Sequence, residues 1–145
     1  MVEFLNTDVL KINKGVICVQ CSDDPFTSNE HLNFLVERYP SLVDSYERHI
    51  IKYKTFRCDL LGSVSCDKVD DDLYILVMFT KHKEKDGALN FDTSALDKCI
   101  INLVDLLSKH DVYVMYDVAF TSDRNTLKEL KSVFSKHNLS ATVLY

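Results

Sequence analysis

Two apolar segments constrain the fold of this chain more than any other feature. One covers residues 73–79 and is followed by Thr80-Lys81, and the other covers residues 112–118 and is followed by a polar loop that contains Asp123. Continuous apolar strands are typical of sheets that are covered on both faces. Ligands of such sheets bind at the carboxyl ends of the strands. Lys81 and Asp123 are therefore a candidate nucleophile and acid/base pair, the alternative being a solvated loop lysine and a helix-capping aspartate.

The rest of the chain alternates between strand and helix patterns. Short segments with the length of strands lie at residues 2–5, 9–12, 15–21, 63–69 and 141–145, and apolar residues with helical spacing lie at residues 32–39, 42–53, 96–107 and 127–134. This order predicts an α/β domain of three layers, with a mixed central β-sheet flanked by helices and residues 141–145 as an edge strand. The 145 residues contain no linker or repeat, so a single domain over residues 1–145 is expected.

Composition limits the classes of function. A net charge of -5 disfavours binding to nucleic acid through phosphate neutralisation alone. Cys18 and Cys21 form a CxxC pair, but residues three apart on a strand point to opposite faces, which suits no single metal ion. We therefore expect free thiols, no metal and no cofactor. The chain has no signal-peptide pattern and no apolar segment near the roughly 20 residues that span a bilayer, so a cytoplasmic protein without membrane contact is expected.

Two local patterns flank the predicted strand ends. The segment Thr27-Ser28-Asn29-Glu30 fits a capping box, which predicts a helix that begins after Thr27. Residues 81–87 are almost all charged, and such a run is typical of a solvated, mobile segment.

The order of the elements resembles that of the macrodomains, a family that binds ADP-ribose, over nearly the whole chain. Residues 6–10 stand at the place of the family's Gly-Asp-Ile segment, whose aspartate holds the adenine amino group. Residues 34–40, which end in Tyr-Pro, resemble the helix end that follows the first ligand loop. Residues 61–64 and 73–80 resemble the central hairpin, and residues 92–96 resemble the start of the next helix. The resemblance implies a macrodomain-like fold.

The branch that the chain resembles is that of the lysine-dependent ADP-ribosyl glycohydrolases. There a strand ends in Thr-Lys, as in Thr80-Lys81, and a Gly-Leu-Asp-Arg phosphate loop stands where this chain has Thr121-Ser122-Asp123-Arg124. The resemblance implies Lys81 as nucleophile and Asp123 as acid or base in cleavage of a ribosyl linkage. The ligand-binding residues that it implies are Asp8, Val9, Gln20, Ser22, Thr80, Phe120, Thr121, Ser122 and Arg124.

Both loops that hold the diphosphate in macrodomains lack glycine in this chain. Residues 21–28 contain Asp23 and Asp24, and residues 118–122 stand in place of Gly-Cys-Gly. Side chains at these positions keep backbone amides away from a phosphate, and two carboxylates repel a dianion.

Two hypotheses about function therefore stay open. One is a divergent macrodomain that recognises or hydrolyses ADP-ribose linked to protein or nucleic acid. The other is an inactive binding module for another nucleotide or for a protein partner, such as a viral or phage protein that inhibits a host factor.

Overall fold

The computed structural model describes residues 1–24, 29–115 and 124–145, the last range without the side chains of residues 124–126. Seven strands of these residues form one mixed sheet: β1 (Val2–Leu5), β2 (Gly15–Ser22), β3 (Val64–Asp70), β4 (Leu73–Lys83), β5 (Leu89–Phe91), β6 (Val112–Met115) and β7 (Ala141–Leu144). The helices are α1 (Glu30–Arg38), α2 (Ser41–Thr55), α3 (Thr93–Ile101), α4 (Val104–Ser108) and α5 (Arg124–Lys136). The predicted α/β architecture is confirmed.

The strand order places the carboxyl ends of most strands along one edge of the sheet. The order is β1-β7-β6-β2-β4-β3, and β5 pairs with the end of β4. All neighbours from β1 to β4 are parallel, whereas β3 and β5 run antiparallel to β4. The prediction that residues 141–145 form an edge strand is wrong, because β1 pairs with the outer side of β7.

Alternate residues of β2 and β4 pack on opposite faces of the sheet. Cys18 and Leu76 belong to an apolar cluster with residues of α3 and α5, whereas Cys21 and Ile75 belong to a cluster with residues of α1 and α2. Both strands are therefore covered on both faces, as their apolar sequences predict. The two cysteines of the CxxC pair lie on opposite faces. No helix among the described residues is long and apolar enough to cross a membrane.

The start of α1 differs from the sequence prediction. The helix begins at Glu30, and its N-cap is Asn29, whose Oδ1 accepts a hydrogen bond from the Leu32 amide at 2.9 Å. The N-cap is therefore Asn29, the third residue of the predicted capping box. The same Asn29 donates through Nδ2 to the Gln20 carbonyl at 2.8 Å. This second contact favours Asn29 as the N-cap residue, because it ties the start of the helix to the end of β2.

Two other predicted elements also change. Residues 9–12 were expected as a strand, but Val9–Lys11 form a 3-10 turn capped by Asp8. The long helix expected around the apolar stripe of residues 96–107 is divided into α3 and α4. Both helices still bury residues of the predicted apolar stripe against the same cluster.

Candidate functional site

Lys81 is a buried residue of β4, with 7% of its surface exposed. β2 and β4 pair regularly up to Phe79, but Ser22 pairs with Lys81, so Thr80 is an extra residue of β4 and forms a bulge. The Thr80 carbonyl accepts a hydrogen bond from the amide of Asp92, the N-cap of α3, at 2.7 Å. Bulges are common beside functional sites because they redirect side chains. The alternative of a solvated loop lysine is therefore excluded.

The charged segment that follows Thr80 is partly ordered as a hairpin. β4 continues to Lys83, and its last residues pair with Leu89–Phe91 of β5. A mobile loop was expected here. The segment is ordered because β5 supplies hydrogen-bonding partners for the end of β4. The local charge pattern does not reveal these partners.

Gln20 and Thr80 connect the ends of β2 and β4. Thr80 Oγ1 donates to Gln20 Oε1 at 3.0 Å. Thr80 is fully buried, and Gln20 is 4% exposed. Within the described part of the chain, Gln20 Nε2 has no hydrogen-bond partner. A buried amide nitrogen without an acceptor is costly. Gln20 is therefore a candidate donor to a ligand oxygen.

Four charged residues lie just beyond Gln20 and Thr80, and we call them the strand-end charge cluster: Asp23, Asp24, His82 and Lys83. Asp23 Oδ2 lies 2.5 Å from His82 Nδ1, and Lys83 Nζ lies 2.8 Å from Asp24 Oδ2. The pKa of His82 is raised, first by its hydrogen bond with Asp23 and then by the charge of Asp23. The two carboxylates that the sequence suggests would repel an anion are each paired with a basic side chain of β4.

A mainly apolar cavity of about 370 Å³ opens at the carboxyl ends of β6 and β7. Val9 on its wall is buried, and Asp8 is exposed with its Oδ1 accepting from the Leu10 amide at 2.9 Å. Among the residues that the structure describes, its lining consists of Thr7, Asp8, Val9, His31, Phe34, Met115, Leu144 and Tyr145. The cavity can take a flat apolar group, with the Asp8 carboxylate at its rim.

The cavity and Lys81 are separated by β2. Neighbouring strands of a sheet lie about 4.8 Å apart, so the end of β6 is roughly 10 Å, and the end of β7 roughly 14 Å, from the end of β4. A ligand that occupies the cavity and reaches Lys81 must therefore have this length. It must also cross the end of β2, where Gln20 and Ser22 lie.

The predicted site residues are only partly brought together. Gln20, Ser22, Thr80 and Lys81 share two neighbouring strand ends, and Asp8 and Val9 line the cavity. Phe120, Thr121, Ser122 and Asp123 lie outside the described residues. Arg124 begins α5, and its side chain is likewise not described.

Sequence reasoning missed several residues of this edge. Phe34 and Tyr145 line the cavity, although the first reads only as a helix residue and the second only as the end of a strand. The pairing of Asp23 with His82 was also missed. No local signal could find it, because the two residues meet only when β2 and β4 are neighbours.

A serine and histidine elsewhere meet without forming a nucleophilic pair. Ser63 Oγ donates to the Leu60 carbonyl at 2.6 Å, so its contact of 2.8 Å with His49 Nε2 is one in which His49 donates. A base must accept the hydroxyl proton in order to activate serine. The pKa of His49 is lowered by burial and then by Lys52. The pair is structural.

Comparisons with known proteins establish the fold. No family model and no curated protein matches the chain. A macrodomain protein from Streptomyces coelicolor is 14% identical with a TM-score of 0.78, covering 100% of this chain and 99% of that chain. The macrodomain of Mycobacterium tuberculosis DarG is 15% identical with a TM-score of 0.68, covering 99% and 97%. A protein from Bacteroides thetaiotaomicron is 18% identical with a TM-score of 0.78, covering 99% of both chains. The chain therefore has the macrodomain fold.

Proposed function

We propose that this protein recognises ADP-ribose linked to protein or nucleic acid and hydrolyses the ribosyl linkage, with Lys81 as the nucleophile. The observation that carries the proposal is the burial of Lys81 beside the Thr80 bulge, on the same sheet edge as the apolar cavity. The Thr80-Lys81 pair of the glycohydrolase branch that the sequence resembles supports the same assignment. Buried lysines are rare unless a function or a partner retains them.

The spacing of the site suits a nucleotide joined to a second sugar. The adenine would enter the apolar cavity, with its amino group donating to Asp8 at the rim. The diphosphate and second ribose would then cross the end of β2, where Gln20 Nε2 donates to a ligand oxygen. This pose brings the anomeric carbon of the second ribose to Lys81.

The reaction needs a neutral amine at Lys81 and an acid for the leaving group. The bond from Lys81 Nζ to the anomeric carbon forms as the bond from that carbon to the leaving oxygen breaks, through an oxocarbenium-like transition state. Asp123 would give the leaving oxygen its proton. Water then replaces the lysine at the anomeric carbon, which frees ADP-ribose and restores the amine. Asp123 takes back a proton from that water.

Release of ADP-ribose from a modified protein and a modified oligonucleotide tests the proposal. Lys81→Met keeps the apolar stem and removes the amine, so we expect release to fall at least about a hundredfold. Lys85→Met is the matched control, because Lys85 is an exposed lysine of the same hairpin. Thermal melting of both variants reports whether they fold. No release by the wild-type protein, or equal release by Lys81→Met, would overturn the proposal.

A binding module without activity is the second candidate. It is favoured by Asp23 and Asp24, which occupy a loop where macrodomains carry glycine and whose carboxylates bind residues of β4. Calorimetry with ADP-ribose separates the two functions. Micromolar binding together with release supports the enzyme, and absence of both supports a module with another ligand.

A further inference from the structure

The strand-end charge cluster lies beside Lys81 and has no part in the ribosyl chemistry described above. We propose that this cluster makes ligand binding pH-dependent: it admits an anionic diphosphate when His82 is protonated and opposes the same ligand when His82 is neutral. The inference rests on the proposed function, because it concerns the ligand of that site.

The cluster lies at the end of the strand that separates the apolar cavity from Lys81. Asp23 and Asp24 directly follow β2, which lies between the strand ends that form the apolar cavity and the strand that carries Lys81. A ligand that spans from the cavity to Lys81 passes these two carboxylates. Their charge therefore acts on whatever part of the ligand crosses the end of β2.

Asp23 holds the end of β4 at three successive residues. Its amide donates to the Lys81 carbonyl at 2.9 Å, its Oδ2 binds the His82 ring, and its Oδ1 accepts from the Lys83 amide at 3.0 Å. Its side chain is only 18% exposed, so solvent replaces these contacts poorly. The distance between the cluster and Lys81 is thus fixed by hydrogen bonds.

The groups that face His82 decide how its charge responds to pH. Asp23 comes from the end of β2, Glu84 from the turn after β4, and Asp59 from the segment before β3, and all three raise the pKa of His82 above 6.5, Asp23 most strongly. Lys81 and Lys83 are its neighbours in the chain, and the uncharged Asn90 is its partner on β5. The pKa of His82 is therefore raised by its surroundings, and the ring keeps its proton to a higher pH than a free histidine does.

Deprotonation changes the charge of the cluster while its contacts are kept. A neutral imidazole still has one N–H group, which Nδ1 can use to donate to Asp23. With His82 charged, two carboxylates are balanced by two cations. With His82 neutral, Lys83 is the remaining cation of the cluster, and the net charge of the cluster is more negative by one unit. The diphosphate of ADP-ribose keeps its negative charge over this pH range, so only the charge of the protein changes. Repulsion between the two therefore appears when His82 becomes neutral.

Calorimetry with ADP-ribose at two pH values tests the inference. We expect wild-type affinity to fall roughly three- to tenfold between about pH 6 and about pH 9, the effect of one exposed charge about 10 Å from a dianion in a dielectric close to that of water. His82→Arg keeps a cation, so its affinity should hardly change between the two values. His82→Gln should bind weakly at both. His137→Gln is the matched control, because His137 pairs with Asp97 between α5 and α3, and it should retain the wild-type pH dependence.

The outcomes separate this inference from the proposed function. Binding that depends on pH without any release of ADP-ribose supports the inference and rejects the enzyme. Binding with the same pH dependence in wild type, His82→Arg and His82→Gln rejects the inference and leaves the proposed function standing. No binding by any variant rejects both. An NMR titration of the His82 ring adds a direct measurement: Asp23→Asn should lower its pKa, and an unchanged titration would contradict the inference.

Discussion

Thr80 donates its hydroxyl proton to the side-chain oxygen of Gln20 across 3.0 Å, and this hydrogen bond joins two neighbouring parallel strands at the candidate ligand edge. It fixes the Gln20 amide with its oxygen occupied and its nitrogen without a partner among the described residues. The bulge at Thr80 and the hydrogen bond to Gln20 act on the same strand end. Together they leave the Gln20 Nε2 donor at the end of β2, the strand next to the one that carries Lys81.

Thr80→Val should destabilise the protein by about 1–3 kcal/mol, because Gln20 Oε1 then loses its donor in a buried place. Urea unfolding gives this free energy. Thr80→Ser keeps the hydroxyl and serves as the control, with a smaller loss. If Thr80→Val unfolds at the wild-type urea concentration, the Thr80–Gln20 contact contributes nothing to stability.

Asp8→Asn should weaken ADP-ribose binding about tenfold, because a charged acceptor is worth roughly 1.5 kcal/mol more than none. The asparagine oxygen can still accept from the Leu10 amide, so the 3-10 turn and the melting temperature should be kept. Ribose 5-phosphate, which has no base, is the control ligand and should bind both proteins equally. A parallel loss for both ligands would show that Asp8 does not recognise the base.

Gly15→Ala should cost at least about 2 kcal/mol of folding free energy, because the added Cβ clashes with a backbone oxygen and the left-handed backbone is also strained for alanine. Gly15 has φ +112°, and a Cβ there would lie 2.5 Å from the Asp111 carbonyl oxygen. Gly87→Ala is the matched control, since Gly87 has φ +91° but no atom within 4 Å of the added Cβ. In urea unfolding, the free energy of unfolding of Gly15→Ala should be well below that of Gly87→Ala. Equal losses would exclude the steric explanation.

The stability of the protein should fall in acid, because protonation of Asp97 removes the stabilisation that its carboxylate provides. Hydrogen bonds from His137 and then Lys136 lower its pKa below 3.8 in the folded protein. The folded state therefore binds this proton less readily than the unfolded chain, and the stabilisation is present above pH 3.8 and lost as pH falls through the lower folded value. Asp97→Asn should flatten that part of the pH dependence of unfolding. An unchanged slope would mean that other carboxyls account for acid sensitivity.

Four of the five cysteines should differ in reactivity. Burial raises the pKa of the Cys99 thiol to about 12 and raises that of Cys18 as well, whereas Cys58 and Cys66 are exposed. Thiolates react and thiols do not. Mass spectrometry after brief iodoacetamide treatment should find Cys58 modified first and Cys66 later, because burial and Asp67 raise the pKa of Cys66. Modification of Cys18 or Cys99 before unfolding would contradict the observed burial.

Much of the fold could be predicted because its signals are local. The apolar runs that became β2 and β4 have no polar face, and this requires cover on both sides wherever they are placed. Cys18 and Cys21 were correctly placed on opposite faces, since the alternation of a strand depends on the backbone alone. Helix α1 was also found, although its first residue was not, because Asn29 is chosen by a contact with the Gln20 carbonyl.

By itself the sequence determined the α/β class, the buried strands and the candidacy of Lys81, because these follow from the spacing of apolar residues and from a short resemblance. Only the tertiary structure decided that Lys81 is buried, that Asp23 binds His82, and that β7 lies inside the sheet. Each of these depends on which strands are neighbours. Strand pairing is set by the packing of distant segments together, and so no local pattern in the chain encodes it.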